Sequence, residues 1–146
     1  MQVQTQIEIS DAEWEVMRVV WTLGATTSHV LIRVLNEKMG WKAGTVKTLL
    51  GRLVKKGALV PEKQGRAFLY KPQVEEQVAI DNATTSLFHH LCQMRRGKAV
   101  SNLLDDLTLS QTDIQRLQAQ LAEKLKTAPE MVPCDCLPAD FDGHCD

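Results

Sequence analysis

Apolar positions recur at helical spacing along the first third of the chain, most sharply over Gly44–Gly57, where Val46, Leu49, Leu50, Leu53 and Val54 fall at i, i+3, i+4, i+7 and i+8. At about 100° per residue these side chains fill one arc of a helix. Gly57 supplies the stop, with Lys55 and Lys56 in the last turn, where the helix dipole favours cations. The opposite arc holds Thr45, Lys47, Thr48, Arg52 and Lys55 together with Gly44 and Gly51, and it contains no carboxylate. A helix face that is merely solvated usually mixes charges of both signs. Hydroxyls, long cations and two positions without side chains are the groups that a DNA major groove accepts.

The pattern then changes period. Ala58 to Pro72 reads as two short strands around a turn containing Gly65, with Pro61 confining its strand to an edge or ending it. A helix followed at once by a hairpin with Lys63 and Arg66 at its tip predicts a winged helix-turn-helix. In that arrangement the helix enters the major groove and the tip meets the neighbouring backbone. The hairpin also closes a small core.

Upstream, Ser10-Asp11-Ala12-Glu13 forms a capping box that opens a helix carrying Trp14, Met17 and Trp21 on one face and ending at Gly24. Thr26-Thr27-Ser28 caps the next helix or lends a short strand to the hairpin. That second helix spans about Ser28 to Met39, with Leu31, Val34 and Leu35 inward, and Gly40-Trp41 turns into the third. The three tryptophans are expected to pack in the core or against turns.

Beyond Pro72 the apolar residues form single stripes. A long helix is predicted from Val74 to about Arg95, a short one from Lys98 to Leu107, and a third opening at Ser110-Gln111-Thr112-Asp113 with Ile114, Leu117, Leu121 and Leu125 on one side. Stripes of this kind need a partner. Two-fold dimers are the commonest soluble oligomers and match two DNA half-sites, so residues 73–127 are expected to dimerise. His89, His90 and Cys92 on the long helix form a candidate metal or sensing cluster; the alternative, with Cys92 as a small buried hydrophobe, makes them ordinary helix residues. The overall expectation is a mainly α chain with a small β-hairpin wing. Residues 1–72 form the winged helix-turn-helix DNA-binding domain, 73–127 a helical dimerisation region and 128–146 an irregular tail.

Charge sharpens this division. The net charge of −1 conceals a front half, 1–72, with 11 basic and 6 acidic residues and a back half with 6 and 12. Residues 42–71 alone carry 8 basic residues against the single Glu62. A basic front and an acidic back suggest a DNA-binding module joined to a part that does not touch DNA. No apolar run is long enough to span a membrane, and the first residues do not read as a signal peptide. The expected location is the cytoplasm, with reduced cysteines.

Three prolines and a glycine keep 128–146 irregular, yet it holds three of the four cysteines: Cys134, Cys136 and Cys145, with His144 beside the last. Cys134 and Cys136 can turn toward one ion, and the intervening loop can return Cys145 and His144 to it. Thiolates suit zinc and copper(I), and three cysteines with one histidine form a known zinc set. Met131 is a remote further donor for copper(I). The alternative is a disordered acidic tail with incidental thiols.

Together, Ile9 to Met17, Thr45 to Leu50 with Arg52 to Gly57, and Gly65 to Tyr70 resemble the copper-responsive repressors of the CopY type, in the same family as the penicillinase repressors BlaI and MecI. The resemblance covers nearly the whole chain. It implies a dimeric winged-helix repressor on a short palindromic operator, which holds a copper-export operon until copper(I) displaces zinc at the thiolates. Copper members of the family carry two Cys-x-Cys pairs in the tail. Here the first pair is Cys134 and Cys136, whereas the second has Gly143 in place of its first cysteine, followed by His144 and Cys145, after a longer spacer. The β-lactam members are released by cleavage of an Asn–Phe bond, and the comparable place here reads Asn102-Leu103. A β-lactamase-type repressor released by proteolysis, a metal-buffering protein with a vestigial DNA-binding fold and a thiol redox enzyme using Cys134 and Cys136 are the alternatives. The basic 42–71 segment opposes the buffer, and an acidic irregular tail is a poor setting for redox thiols. The sequence offers no nucleophile–base pair, phosphate loop or carboxylate dyad, so no enzyme is expected.

Overall fold

The computed structural model describes residues 6–143 and residue 145. The chain divides into two compact units, 1–84 and 85–146. Helix α1 (Asp11–Leu23), a two-residue strand β1 (Thr26–Thr27), α2 (Ser28–Met39), α3 (Ala43–Lys56) and strands β2 (Leu59–Gln64) and β3 (Ala67–Pro72) build the first unit. Helix α4 (Glu76–His89) follows and crosses the division at 84; α5 (Gln93–Asp106) and α6 (Gln111–Leu125) belong to the second unit.

Local chemistry sets the boundaries. Ser10 caps α1 through a complete capping box with Glu13, and Gly57 ends α3 with a positive φ of 84°, a conformation that favours glycine. The two readings of Thr26–Ser28 both hold. Thr27 caps α2 by accepting from Val30 N–H, and Thr26 and Thr27 pair with Tyr70 and Leu69 as a third strand. The sheet order is β1-β3-β2, all antiparallel. Pro61 therefore lies in an edge strand, where its missing N–H costs least.

The core sits where α1, α2 and α3 converge on the base of the hairpin. Val16, Met17 and Val20 of α1, Leu31 and Leu35 of α2, and Val46, Leu49, Leu50 and Leu53 of α3 are buried together with Ala58 and Leu59. Trp21 and Trp41 pack half-buried against this cluster. Trp21 Nε1 also donates to the Val74 carbonyl at 2.9 Å, tying the segment after the wing back to α1. Trp14 lies outside the cluster and contacts Trp21 instead, ring centroids 5.7 Å apart. This is a winged helix-turn-helix, as the sequence pattern predicts.

Two features depart from that pattern. The long helix expected from Val74 to Arg95 is broken at His90–Cys92, so α4 ends at His89 and α5 starts at Gln93, five residues ahead of the expected short helix. No proline or glycine marks this break. It is closed by tight bonds from His90 N to Leu87 O and from Leu91 N to Phe88 O. The second departure is burial: no described residue of the second unit is buried.

Candidate functional site

The buried stripe of α3 dictates what its other side presents. With Val46, Leu49, Leu50 and Leu53 inward, Thr45, Lys47, Thr48, Arg52 and Lys55 are all exposed. Gly44, Thr45, Thr48, Leu49 and Arg52 line a shallow depression on this face. The Thr48 hydroxyl donates to the Gly44 carbonyl at 2.9 Å, which commits its proton within the helix and suits the residue to apolar rather than phosphate contact. Lys63 and Arg66 lie exposed at the β2–β3 turn, around Gly65 with φ of 60°.

Ion pairing sorts the cations. Lys71 pairs with Glu62 at 2.6 Å. Lys56 is held by both oxygens of Glu13, at 2.6 and 2.9 Å, and by the Glu8 carbonyl at 2.8 Å. Lys47, Arg52, Lys55, Lys63 and Arg66 have no carboxylate within ion-pair distance among the described residues. The surface that results is positive and uncompensated, with α3 and the turn of the wing as its two parts.

The second candidate site is a group of four thiols: Cys92, Cys134, Cys136 and Cys145 place their sulfur atoms within 4.8 Å of one another. Cys145 Sγ lies 2.9 Å from Cys134, 3.4 Å from Cys136 and 3.5 Å from Cys92. Bonds of about 2.3 Å to one tetrahedral ion would set sulfurs roughly 3.8 Å apart, so the four donors suit a single bound metal. The bond with Cys145 and the Cys136 N–H at 3.4 Å pull the Cys134 thiol down to about 6. The same bonding pushes Cys136 up, chiefly through Cys145, and Cys145 up, chiefly through Cys134. Thiolate is the form that binds metal, and the lowered Cys134 thiol favours it.

Cys92 corrects the sequence reading. It is neither a buried hydrophobe nor mid-helix: it is the N-cap residue of α5, half-exposed, with its sulfur in the tail's group. His89 and His90 are exposed and outside that group. His144 lies outside the described residues, and Met131 is exposed and not part of the group. The sequence pattern carries a helix straight through Cys92 and so gives no sign of this role. Arg95 and Arg96 stand in the first turn of α5, where the helix dipole disfavours cations. They suit that position when an anionic group faces it.

The model of the penicillinase repressor family matches residues 9–123. A 16.5 kDa protein from the ptsI 3′ region of Latilactobacillus sakei is 55% identical over 135 residues, 92% of each chain. The penicillinase repressor of Bacillus licheniformis is 35% identical over 116 residues, covering 80% of this chain and 91% of the relative. The solved CopR repressor structure is 47% identical over 47% of this chain and 99% of that one, with a TM-score of 0.41. On the extent of the family match and of these two relatives, the chain belongs to the penicillinase repressor family, a family of transcriptional repressors rather than enzymes.

Proposed function

We propose that the protein is a homodimeric transcriptional repressor acting in the cytoplasm, which holds a palindromic operator until copper(I) binds its C-terminal cysteines. The observation that carries this reading is the exposed, carboxylate-free face of α3 beside the equally uncompensated wing tip. Helix α3 reads the major groove through Thr45, Lys47, Thr48 and Arg52, while Lys55, Lys63 and Arg66 meet phosphates. Lys56 is occupied by Glu13 and takes no part. The dimer follows from the second unit, whose helices α5 and α6 bury no residue of their own.

The metal response rests on Cys134, Cys136 and Cys145, which lie together and offer soft donors. Zinc completes a four-ligand shell, whereas copper(I) is satisfied by two or three sulfurs. That difference lets the two ions favour two states of the repressor, the condition for a ligand switch. The thiol group favours this reading over release by proteolysis.

Arg52→Ala is expected to cost about 1–3 kcal/mol in operator affinity and to relax specificity at the position it reads. Lys55→Ala should weaken all sequences alike and lower the salt slope by about one. Unchanged affinity in both variants, with native circular dichroism, would remove α3 from the interface. For the metal response, copper(I) is added to operator complexes of the wild type and of a Cys134→Ser, Cys136→Ser double variant, read by gel shift. Release of the wild type alone is the expected result; equal release of both would rule out the tail as sensor.

A further inference from the structure

From the position of Cys92 we infer, building on the metal response above, that this residue supplies the fourth sulfur of the site, so that a bound metal straps the tail to the start of α5. The tail would then not hang as an independent sensor. Metal occupancy would instead be written into the first turn of a helix in the second unit.

The contacts around the sulfurs carry the argument. Cys92 is the N-cap of α5 but provides no side-chain cap. The cap comes from the tail: Asp135, between the two cysteines of the Cys-x-Cys pair, accepts from Gln93 N–H through Oδ1 at 2.9 Å. Gln93 Nε2 donates to the Pro133 carbonyl at 2.7 Å, and Arg96 approaches Asp135 at 3.8 Å. The Cys-x-Cys turn is therefore seated on the α5 N-terminus by polar contacts independent of the sulfurs. Those contacts bring Cys134 and Cys136 to Cys92. Four thiolates around a divalent ion leave a net negative charge, which the α5 dipole and Arg96 offset.

The tail itself explains the need for an outside ligand. Gly143, where a second Cys-x-Cys pair would place its first cysteine, has φ of 144°, a backbone conformation that side chains rarely adopt. A side chain is strained at that position. Cys92 supplies the further sulfur from 42 residues upstream of Cys134.

The test is a set of metal titrations on the full-length protein, with zinc competed against a chelator and cobalt(II) as the optical probe of thiolate number. Cys92→Ser should weaken zinc by more than the roughly 10–100-fold that loss of an outer-shell partner costs. It should also lower the sulfur-to-cobalt charge-transfer band by about a quarter, as for one thiolate in four, while His144→Ala changes neither. In the unaltered protein, zinc should protect Cys92 from alkylation as fully as Cys134, and should slow amide exchange at Gln93–Arg96. Cys92 alkylated at the same rate with and without zinc overturns the inference whether or not the serine variant folds. If Cys134→Ser with Cys136→Ser abolishes binding but Cys92→Ser leaves it unchanged, the tail alone is the site and only the strap is lost. If the wild type binds neither metal, the copper reading of the preceding subsection falls with it.

Discussion

Lys56→Ala is expected to destabilise the first unit by about 3 kcal/mol, because it strands a buried carboxylate. Glu13 is only 2% exposed, and its side chain serves two partners. It closes the capping box of α1 with Ser10 and receives the Lys56 ammonium from the last turn of α3. Burial pushes the Glu13 carboxyl up, but hydrogen bonds from Lys56 and Ser10, with the Lys56 charge, outweigh it and hold the pKa below 4.5. A depressed carboxylate contributes stability that is complete above its unfolded pKa and is lost as the pH falls through the folded value. The wild type should therefore lose this contribution below about pH 4.5. In Lys56→Ala the buried carboxyl has lost its cation, so the gap between the two proteins should shrink in acid. Glu13→Gln with Lys56→Met should recover most of the loss, since replacing both members of a buried pair leaves no stranded charge. Urea unfolding at pH 7 and pH 4 measures all three; a loss under about 1 kcal/mol for Lys56→Ala at pH 7 would mean the pair is as weak as an ordinary surface bridge.

The first unit was legible because its signals are local and agree. The capping box at Ser10, the glycine stop at Gly57 and the stripe Val46–Leu53 each specify the same helices that packing then uses. The hairpin followed from Gly65 and the edge position of Pro61. Lys56 was not distinguishable from Lys55 by sequence, since its partner lies 43 residues away in another helix. Adjacent lysines in one helical turn thus divide between structure and an exposed face.

The second unit was read less well for a physical reason. Periodicity carries a helix across any segment without a breaker, and His90-Leu91-Cys92 contains none. What starts the next helix there is long-range: Asp135 accepts from the Gln93 N–H out of the tail. The tail's cysteines were visible as a cluster in sequence, but Cys92 belongs to them only through that docking. His144, beside Cys145 in the sequence, lies outside the described residues.

Cutting the chain after Thr84 should convert a dimer into a monomer and weaken binding to a full palindrome by roughly a thousandfold or more, toward the level of non-specific binding. The cut is placed at Thr84 because Val74 and Ala79 belong to the first unit: Val74 accepts from Trp21, and Ala79 is buried. A cut at Pro72 would remove both and confuse lost dimerisation with lost folding. Beyond Thr84, Val100, Leu103, Leu104, Leu107 and Ile114 are exposed, as are Leu121 at 58% and Leu125 at 76%. Leu121, Ala122 and Leu125 line an apolar groove on α6. An apolar surface of this extent with no core beneath it is stable only when a second surface covers it. A second copy supplies that surface by two-fold symmetry and at the same time places two recognition helices on two half-sites. The truncated unit should retain half-site contacts, with its salt slope about halved, and should ignore copper(I) because every cysteine has been removed. Sedimentation of the intact protein and of residues 1–84, each at micromolar concentration, decides the point. A monomeric full-length protein would contradict the dimer, and a truncated unit that binds the palindrome as tightly as the whole chain would show that affinity does not depend on pairing.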